Sequence, residues 1–281
     1  MKKIILTLAL VVLLAAPGFA QTDFPVFGNI SSDTAGSVAA LVKYVGTTAG
    51  SATTDLACDA ATGDLAFRVA GVASTTVNSA ALCGATVGTI DVSDADCNTW
   101  GEVADTINAT ADWRVVLVGA LRSDSTDNTT TTFAVTAAQK VEGIALYFDS
   151  AVSLTTSIAL IPENCKTDIR CFMTPNGQLL ENPYAGRQAD VRWIEGLSTY
   201  ATTGTFNVYS VKPRNKAVGS ESVSTIYSEA TGASTVLKQL TQFQYNGLRG
   251  RPHEKVIVRI TDTGASSTFF LRAYGIQKPI Q

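Results

Sequence analysis

Lys255-Val-Ile-Val-Arg-Ile-Thr261 (KVIVRIT) places Val256, Val258 and Ile260 on one side of an extended chain and Lys255, Ile257 and Arg259 on the other. Side chains of a β-strand point alternately to opposite faces, so this period of two predicts a strand. The same period recurs in Thr205–Val211 (TFNVYSV), where Phe206 and Val208 share a face and Tyr209 takes the other. In Val191–Leu197 (VRWIEGL) it points Val191, Trp193 and Glu195 one way. Six strand-like runs occupy this part of the chain: Ala189–Tyr200, Thr205–Val211, Ser222–Tyr227, Thr235–Phe243, Lys255–Thr261 and Thr268–Tyr274. Turns containing Gly or Pro separate them at regular spacing, which predicts an antiparallel β-sandwich or jelly roll over residues 188–281.

Upstream lies a turn-rich connector, residues 166–187, introduced by Pro162 and holding P-N-G at 175–177 and N-P-Y-A-G at 182–186. Residues 21–165 read as a β-rich α+β domain with one short helix. Ser37–Val45 is apolar and fits strand or helix. Thr53–Val69 reads as a hairpin turning at Thr62–Asp64, and Thr86–Val92 as a strand. The helix is announced by Thr99 and Glu102, spaced as a capping box, with Trp100, Val103, Ala104 and Ile107 at helical spacing behind them. Trp113–Leu121 (WRVVLVGAL) is continuously apolar, as expected of a strand buried on both faces. Phe133–Val135, Gly143–Phe148 and Thr156–Ile161 complete the set. The fold class expected is therefore mainly β.

Residues 1–20 have the layout of a cleavable signal peptide: Lys2 and Lys3, an apolar run over Ile4–Ala16, the breakers Pro17 and Gly18, and small residues before Gln21. The run is shorter than the roughly 20 residues that a membrane span needs, and no later segment approaches that length. The expected location is secreted, periplasmic or at the cell surface. Few charged residues (16%) and abundant Thr, Ser, Ala and Gly suit such a protein.

The segment Gly88–Val118 (GTIDVSDADCNTWGEVADTINATADWRVVLV) resembles the "IN" motif of flagellar hook-associated proteins and flagellins, in which a strand leads to a short helix ending in Ile-Asn and then to another strand. Ile107-Asn108 stands at the matching position. The segment is also similar to parts of bacteriophage virion proteins. The resemblance implies a surface or particle-building element and carries no catalytic residues; the terminal coiled-coil helices of flagellins have no counterpart in this chain.

Export makes disulfides expected among the five cysteines. Cys165 and Cys171 enclose a short loop and are the first pair. Cys83 and Cys97 are the second, leaving Cys58 free or intermolecular, although spacing alone does not determine connectivity. Paired Cys/His spacing of a zinc site is absent. Charge is strongly segregated: residues 21–165 hold 5 Lys/Arg against 16 Asp/Glu, and residues 166–281 hold 14 against 8. Such a split favours homo-oligomers joined acidic part to basic part. A pI of 5.2 argues against a nucleic-acid partner.

No cofactor motif is present, and the chemistry-bearing residues are few. His253 is the one histidine and no G-x-S-x-G accompanies it, so no nucleophile motif supports catalysis. Asp94, Asp96 and Asn98 have the spacing of early calcium-loop ligands, but Gly is missing from the sixth position and Glu from the twelfth; a capped turn before the helix is the competing reading. Trp193, Tyr200, Tyr209 and Tyr227 are candidates for a sugar-stacking platform or for core. Arg249, Arg251, Lys255 and Arg259 are candidates for contact with an acidic partner. The chain is thus expected to be an exported, non-enzymatic structural protein that self-associates as a surface, fibre or virion-type component. The alternative is a glycan- or surface-binding module using the C-terminal β-sandwich.

Overall fold

A computed structural model describes residues 24–31, 38–47, 53–56, 58–59, 64–69, 72–77, 87–92, 94, 96–126, 135–138, 142–147, 155–198, 204–212, 221–232, 238–240, 247–261 and 269–280. The leader, Cys83 and Tyr200 lie outside them. The first half contains β1 (Phe24–Ser31), β2 (Val38–Tyr44), β3 (Thr53–Leu56), β4 (Cys58–Asp59), β5 (Asp64–Ala66), β6 (Arg68–Val69), β7 (Val72–Ala73) and β8 (Thr89–Asp91). Helix α1 (Trp100–Asn108) follows, then β9 (Trp113–Leu117), β10 (Val135–Ala138), β11 (Ile144–Tyr147) and β12 (Thr155–Ala159). The second half contains β13 (Arg187–Ser198), β14 (Gly204–Lys212), β15 (Ser222–Gly232), β16 (Lys238–Leu240), β17 (Leu248–Arg249), β18 (Lys255–Thr261) and β19 (Phe269–Pro279). The protein is mainly β, and every ladder among the described strands is antiparallel.

The C-terminal strands form two sheets, ordered β1-β19-β13-β16, with β17 also on β13, and β12-β18-β14-β15. Val191, Ile194, Leu271 and Ala273 from the first share one apolar cluster with Ile158, Phe206, Val208, Val256, Val258 and Ile260 from the second. The two sheets come close at Gly196, where a Cβ would collide with the Phe206 ring and Ile260. Two of these strands, β1 and β12, come from residues 21–165. The division at residue 165 expected from composition is therefore crossed twice, because sheet pairing is set by edge complementarity and not by proximity in sequence.

The capping box forms as its spacing predicts. Thr99 Oγ1 accepts from Glu102 N–H, and the Glu102 carboxylate accepts from Thr99 N–H at 3.0 Å. At the other end Asn108 joins helix to strand: its Nδ2 donates to Val115 O (3.0 Å) and its Oδ1 accepts from Val115 N–H (2.7 Å). A side-chain amide thus pairs with β9 as a neighbouring strand would, while Ile107 is fully buried beside it. β9 is buried on both faces, Val115 in the cluster around Trp100 and Trp113, Val116 in the cluster with Ile161, Ile169 and Phe172. Ser37–Val45 resolves to strand, β2, paired to β9 and β11. Of the expected hairpin at 53–69, the β4–β5 pairing is present, but β3 pairs with β10 instead.

The two halves meet on the second face of β18. Its first face fills the shared core, whereas Lys255, Ile257 and Arg259 turn toward the first half and are also buried. Lys255 Nζ donates to Leu117 O (3.0 Å) and Val118 O (3.1 Å). Arg259 grips Asp124 through both terminal nitrogens (2.8 and 2.5 Å), donates to Ser157 Oγ (2.9 Å) and lies over the Tyr209 ring. Nearby, Glu221 accepts from Arg122 N–H at 2.9 Å. Lys255 and Arg259, read from sequence as surface cations, are thus internal joints. Tyr209 is one as well, packed beside Leu121 and Ile257.

Asp124→Ala is expected to lower the unfolding free energy by about 3 kcal/mol, since it strands a buried guanidinium. Arg259→Ala should cost a similar amount, and the double mutant less than the sum of the two, measured by urea denaturation. Burial lowers the Lys255 pKa from its ordinary 10.5. Below that depressed value the lysine is charged folded and unfolded, and the desolvation cost is felt in full; as pH rises from there to 10.5 the cost disappears. The stability of the wild type relative to Lys255→Met should therefore rise with pH across that window, and a flat difference would count against a charged buried lysine.

Candidate functional site

The face of β13 and β19 turned away from the shared core carries the densest set of charged and aromatic side chains outside the seam. Its geometry originates in a bulge. The β13–β19 register runs Val191↔Gly275 and then Trp193↔Tyr274, leaving Arg192 as the extra residue. Strict alternation predicted Val191 and Trp193 on one face. The bulge inverts the phase between them, so that Val191 and Ile194 enter the core while Trp193 opens outward beside Tyr274. Arg192, Trp193, Tyr274 and Ile276 line a pocket of about 480 Å³ there.

One carboxylate organises the cations at this pocket. Asp190, with only 3% of its side chain exposed, is reached by Lys278 Nζ (3.2 Å), Arg192 Nη2 (3.4 Å) and Arg249 Nε (3.8 Å). Cross-strand pairing explains the convergence: Asp190 sits opposite Arg249 on β17 and opposite Ile276 on β19, two residues before Lys278. Gly247, at φ +52°, packs against them: a Cβ there would lie 3.3 Å from both the Asp190 side chain and the Arg192 guanidinium. Three cations thus converge on one carboxylate. Arg272, 3.7 Å from Glu195, lies over the Trp193 ring at 6.0 Å.

The sequence candidates divide accordingly. Trp193 and Arg249 are brought together at this face. Tyr209 is on the other sheet and faces the seam, so the platform of Trp193 with Tyr209 does not assemble. Tyr200 is outside the described residues. Arg251 is exposed on the turn before β18, where its N–H donates to Ser210 Oγ. Tyr274, Ile276, Asp190 and Lys278 escaped the sequence reading. Alternation along β19 was the one signal for Tyr274, Ile276 and Lys278, and it identifies a face without saying what lies beside it; Asp190 sits on β13, before the bulge.

His253 is committed to the backbone. It has φ +64°, its Nδ1 accepts from Gly186 N–H (2.9 Å), and its carbonyl accepts from Asn182 Nδ2 (3.3 Å). Its work is to fasten the connector to the turn before β18. Asp94 Oδ1 accepts from Asp96 N–H at 2.9 Å, the capped-turn arrangement, and Asn98 O accepts from Thr126 N–H. Among the described residues no group of three or more His, Cys, Asp or Glu side chains is placed to hold a metal ion. Cys165 and Cys171 form a disulfide with Cα atoms 5.5 Å apart. Cys97 is also disulfide-bonded, and its expected pairing with Cys83 lies outside the described residues.

No protein-family model matches the chain, and no curated protein matches it significantly.

Removing the organising anion should loosen the whole cluster. Asp190→Ala is expected to destabilise the protein by about 1–3 kcal/mol, as loss of a charged hydrogen-bonding partner does. Because the cations left behind repel one another, added salt should restore part of the loss in a thermal melt.

Proposed function

We propose that the chain is an exported, non-enzymatic binding protein whose contact surface is the outer face of β13 and β19, and that its partner surface is acidic. The observation that carries this reading is the buried Asp190 carboxylate, which holds Arg192, Lys278 and Arg249 beside an aromatic pocket. A structural ion pair needs one cation. Here Arg249 keeps 69% of its side chain exposed and Lys278 34%, so two of the cations that Asp190 holds face outward. Cations held in place by their own protein lose little freedom on meeting a ligand, which favours binding. The leader-like residues 1–20 support export, and the binding role corresponds to the surface-binding alternative that composition suggests.

A second reading, self-assembly, is favoured by the charge split between residues 21–165 and 166–281. The acidic part of one copy would then meet the basic outer face of another. Some of that complementarity is used within the chain, where Asp124 meets Arg259, so assembly draws only on what remains.

The mature protein is expected to be retained on a carboxylate-bearing matrix at low salt and released as salt rises. Arg249→Glu combined with Lys278→Glu should abolish retention; equal retention of the variant would sink the proposed surface. Sedimentation at low salt separates the second reading, which fails if the wild type stays monomeric at high concentration.

A further inference from the structure

We infer that His253 is an acid-released latch: its neutral imidazole holds the connector turn at residues 182–186 against the turn before β18, and protonation lets that turn go. The inference stands apart from the acidic-partner reading. The local sequence is Arg251-Pro-His-Glu254, and Glu254 N–H donates to Arg251 O across it. Pro252 followed by a positive φ is the pattern of a type II turn, whose third position ordinarily takes Gly or Asn. A histidine at φ +64° gives up that ease and gains an imidazole at the surface. The imidazole is used. Its Nδ1 accepts from Gly186 N–H at 2.9 Å, which requires the neutral ring with its proton on Nε2.

Three more bonds meet at this corner and do not depend on the charge of the ring. His253 N–H donates to Arg187 O (2.8 Å), Asn182 Nδ2 donates to His253 O (3.3 Å), and Ile280 N–H donates to Gly186 O (2.8 Å). The connector side is anchored by Tyr184, buried with Phe172, Leu41 and Val116. The latch therefore ties a segment packed on the first half to a turn of the C-terminal sheets. Imidazoles change charge between about pH 5 and 8, and an exposed ring meets solvent protons directly. A proton on Nδ1 occupies the lone pair that Gly186 N–H uses and sets donor against donor. The charged groups on the elements that meet here are Glu181 and Arg187 of the connector, Arg251 and Glu254 of the turn, and Lys278 of β19. Arg187 donates to Gln277, Glu254 accepts from Ser210, and Lys278 pairs with Asp190. Among the described residues no carboxylate forms an ion pair with the imidazole to retain it once charged. Acid should thus open the turn at residues 182–186 while the seam of Lys255 and Arg259 stays closed.

His253 is the one histidine of the chain, so isotopically labelled histidine gives a single imidazole spectrum in the untagged protein. At about pH 8 that spectrum should show the proton on Nε2 and Nδ1 as an acceptor. As pH falls to about 5, the Gly186 amide signal should shift with the same midpoint as the ring. Protection of that amide against hydrogen exchange, corrected for its intrinsic pH dependence, should drop by about tenfold, while amides of β18 keep theirs. His253→Asn retains a residue that accepts a positive φ and does not titrate. The stability of the wild type relative to this variant, from urea denaturation, should decrease as pH falls, because the folded-state bond needs the neutral ring. Titration of Lys255 is common to both chains and cancels. A proton on Nδ1 at about pH 8, a Gly186 signal unmoved through the titration of the ring, or a stability difference that does not vary with pH would each overturn the latch. Loss of protection in β18 alongside Gly186 would overturn the local opening.

Discussion

Burial of both faces of β18 is the constraint on which the rest of the structure depends. A strand in a two-layer β protein ordinarily gives one face to the core and the other to water. Here the second face bears Lys255 and Arg259, and both are covered by the first half of the chain. Their charges must be compensated in place, since a buried ion without partners is far more costly than any single packing contact contributes. Two carbonyl oxygens at the end of β9 and the loop carboxylate of Asp124 provide that compensation. The seam therefore dictates where β9, the loop after it and β12 stand relative to the C-terminal sheets. It also consumes part of the acidic-to-basic complementarity that the primary sequence displays.

With that face of the molecule closed, the other sheet turns its outer face away from the shared core. The bulge at Arg192 is the local event that makes this face chemically interesting. Without it Trp193 would share a face with Val191 and enter the core in place of Ile194. With it, the Trp193 indole turns outward beside Tyr274, and a buried aspartate gathers Arg192, Arg249 and Lys278 next to it. Bulges are common where a sheet re-aims a side chain, at the modest cost of one lost ladder pairing.

The segment 88–118 illustrates the opposite case, in which local signals are sufficient. Thr99 and Glu102 close the capping box because four residues contain all of its partners. Ile107 is buried because the helical period puts it on the face of Trp100 and Val103. Even the joint from Asn108 to Val115 spans only seven residues. The Ile-Asn ending thereby acquires a mechanical meaning independent of any resemblance: an apolar anchor followed by an amide that stands in for a strand.

The strands β13, β14, β15 and β18, the capped helix, the doubly buried β9 and the β4–β5 pairing were legible in the sequence by itself. Each depends on periodicity or on partners a few residues apart, and these are written in local order. Tertiary structure alone decided that β1 and β12 join the C-terminal sheets, that Lys255 and Arg259 are internal, and that Trp193 belongs with Tyr274 and Asp190 and not with Tyr209. Asp124 and Arg259 are 135 residues apart, and Asp190 and Lys278 are joined only through a cross-strand register. Alternation reports that a residue faces one side or the other. What waits on that side, water or another part of the chain, is decided by packing over the whole molecule, and a single inserted residue at Arg192 is enough to reverse the assignment.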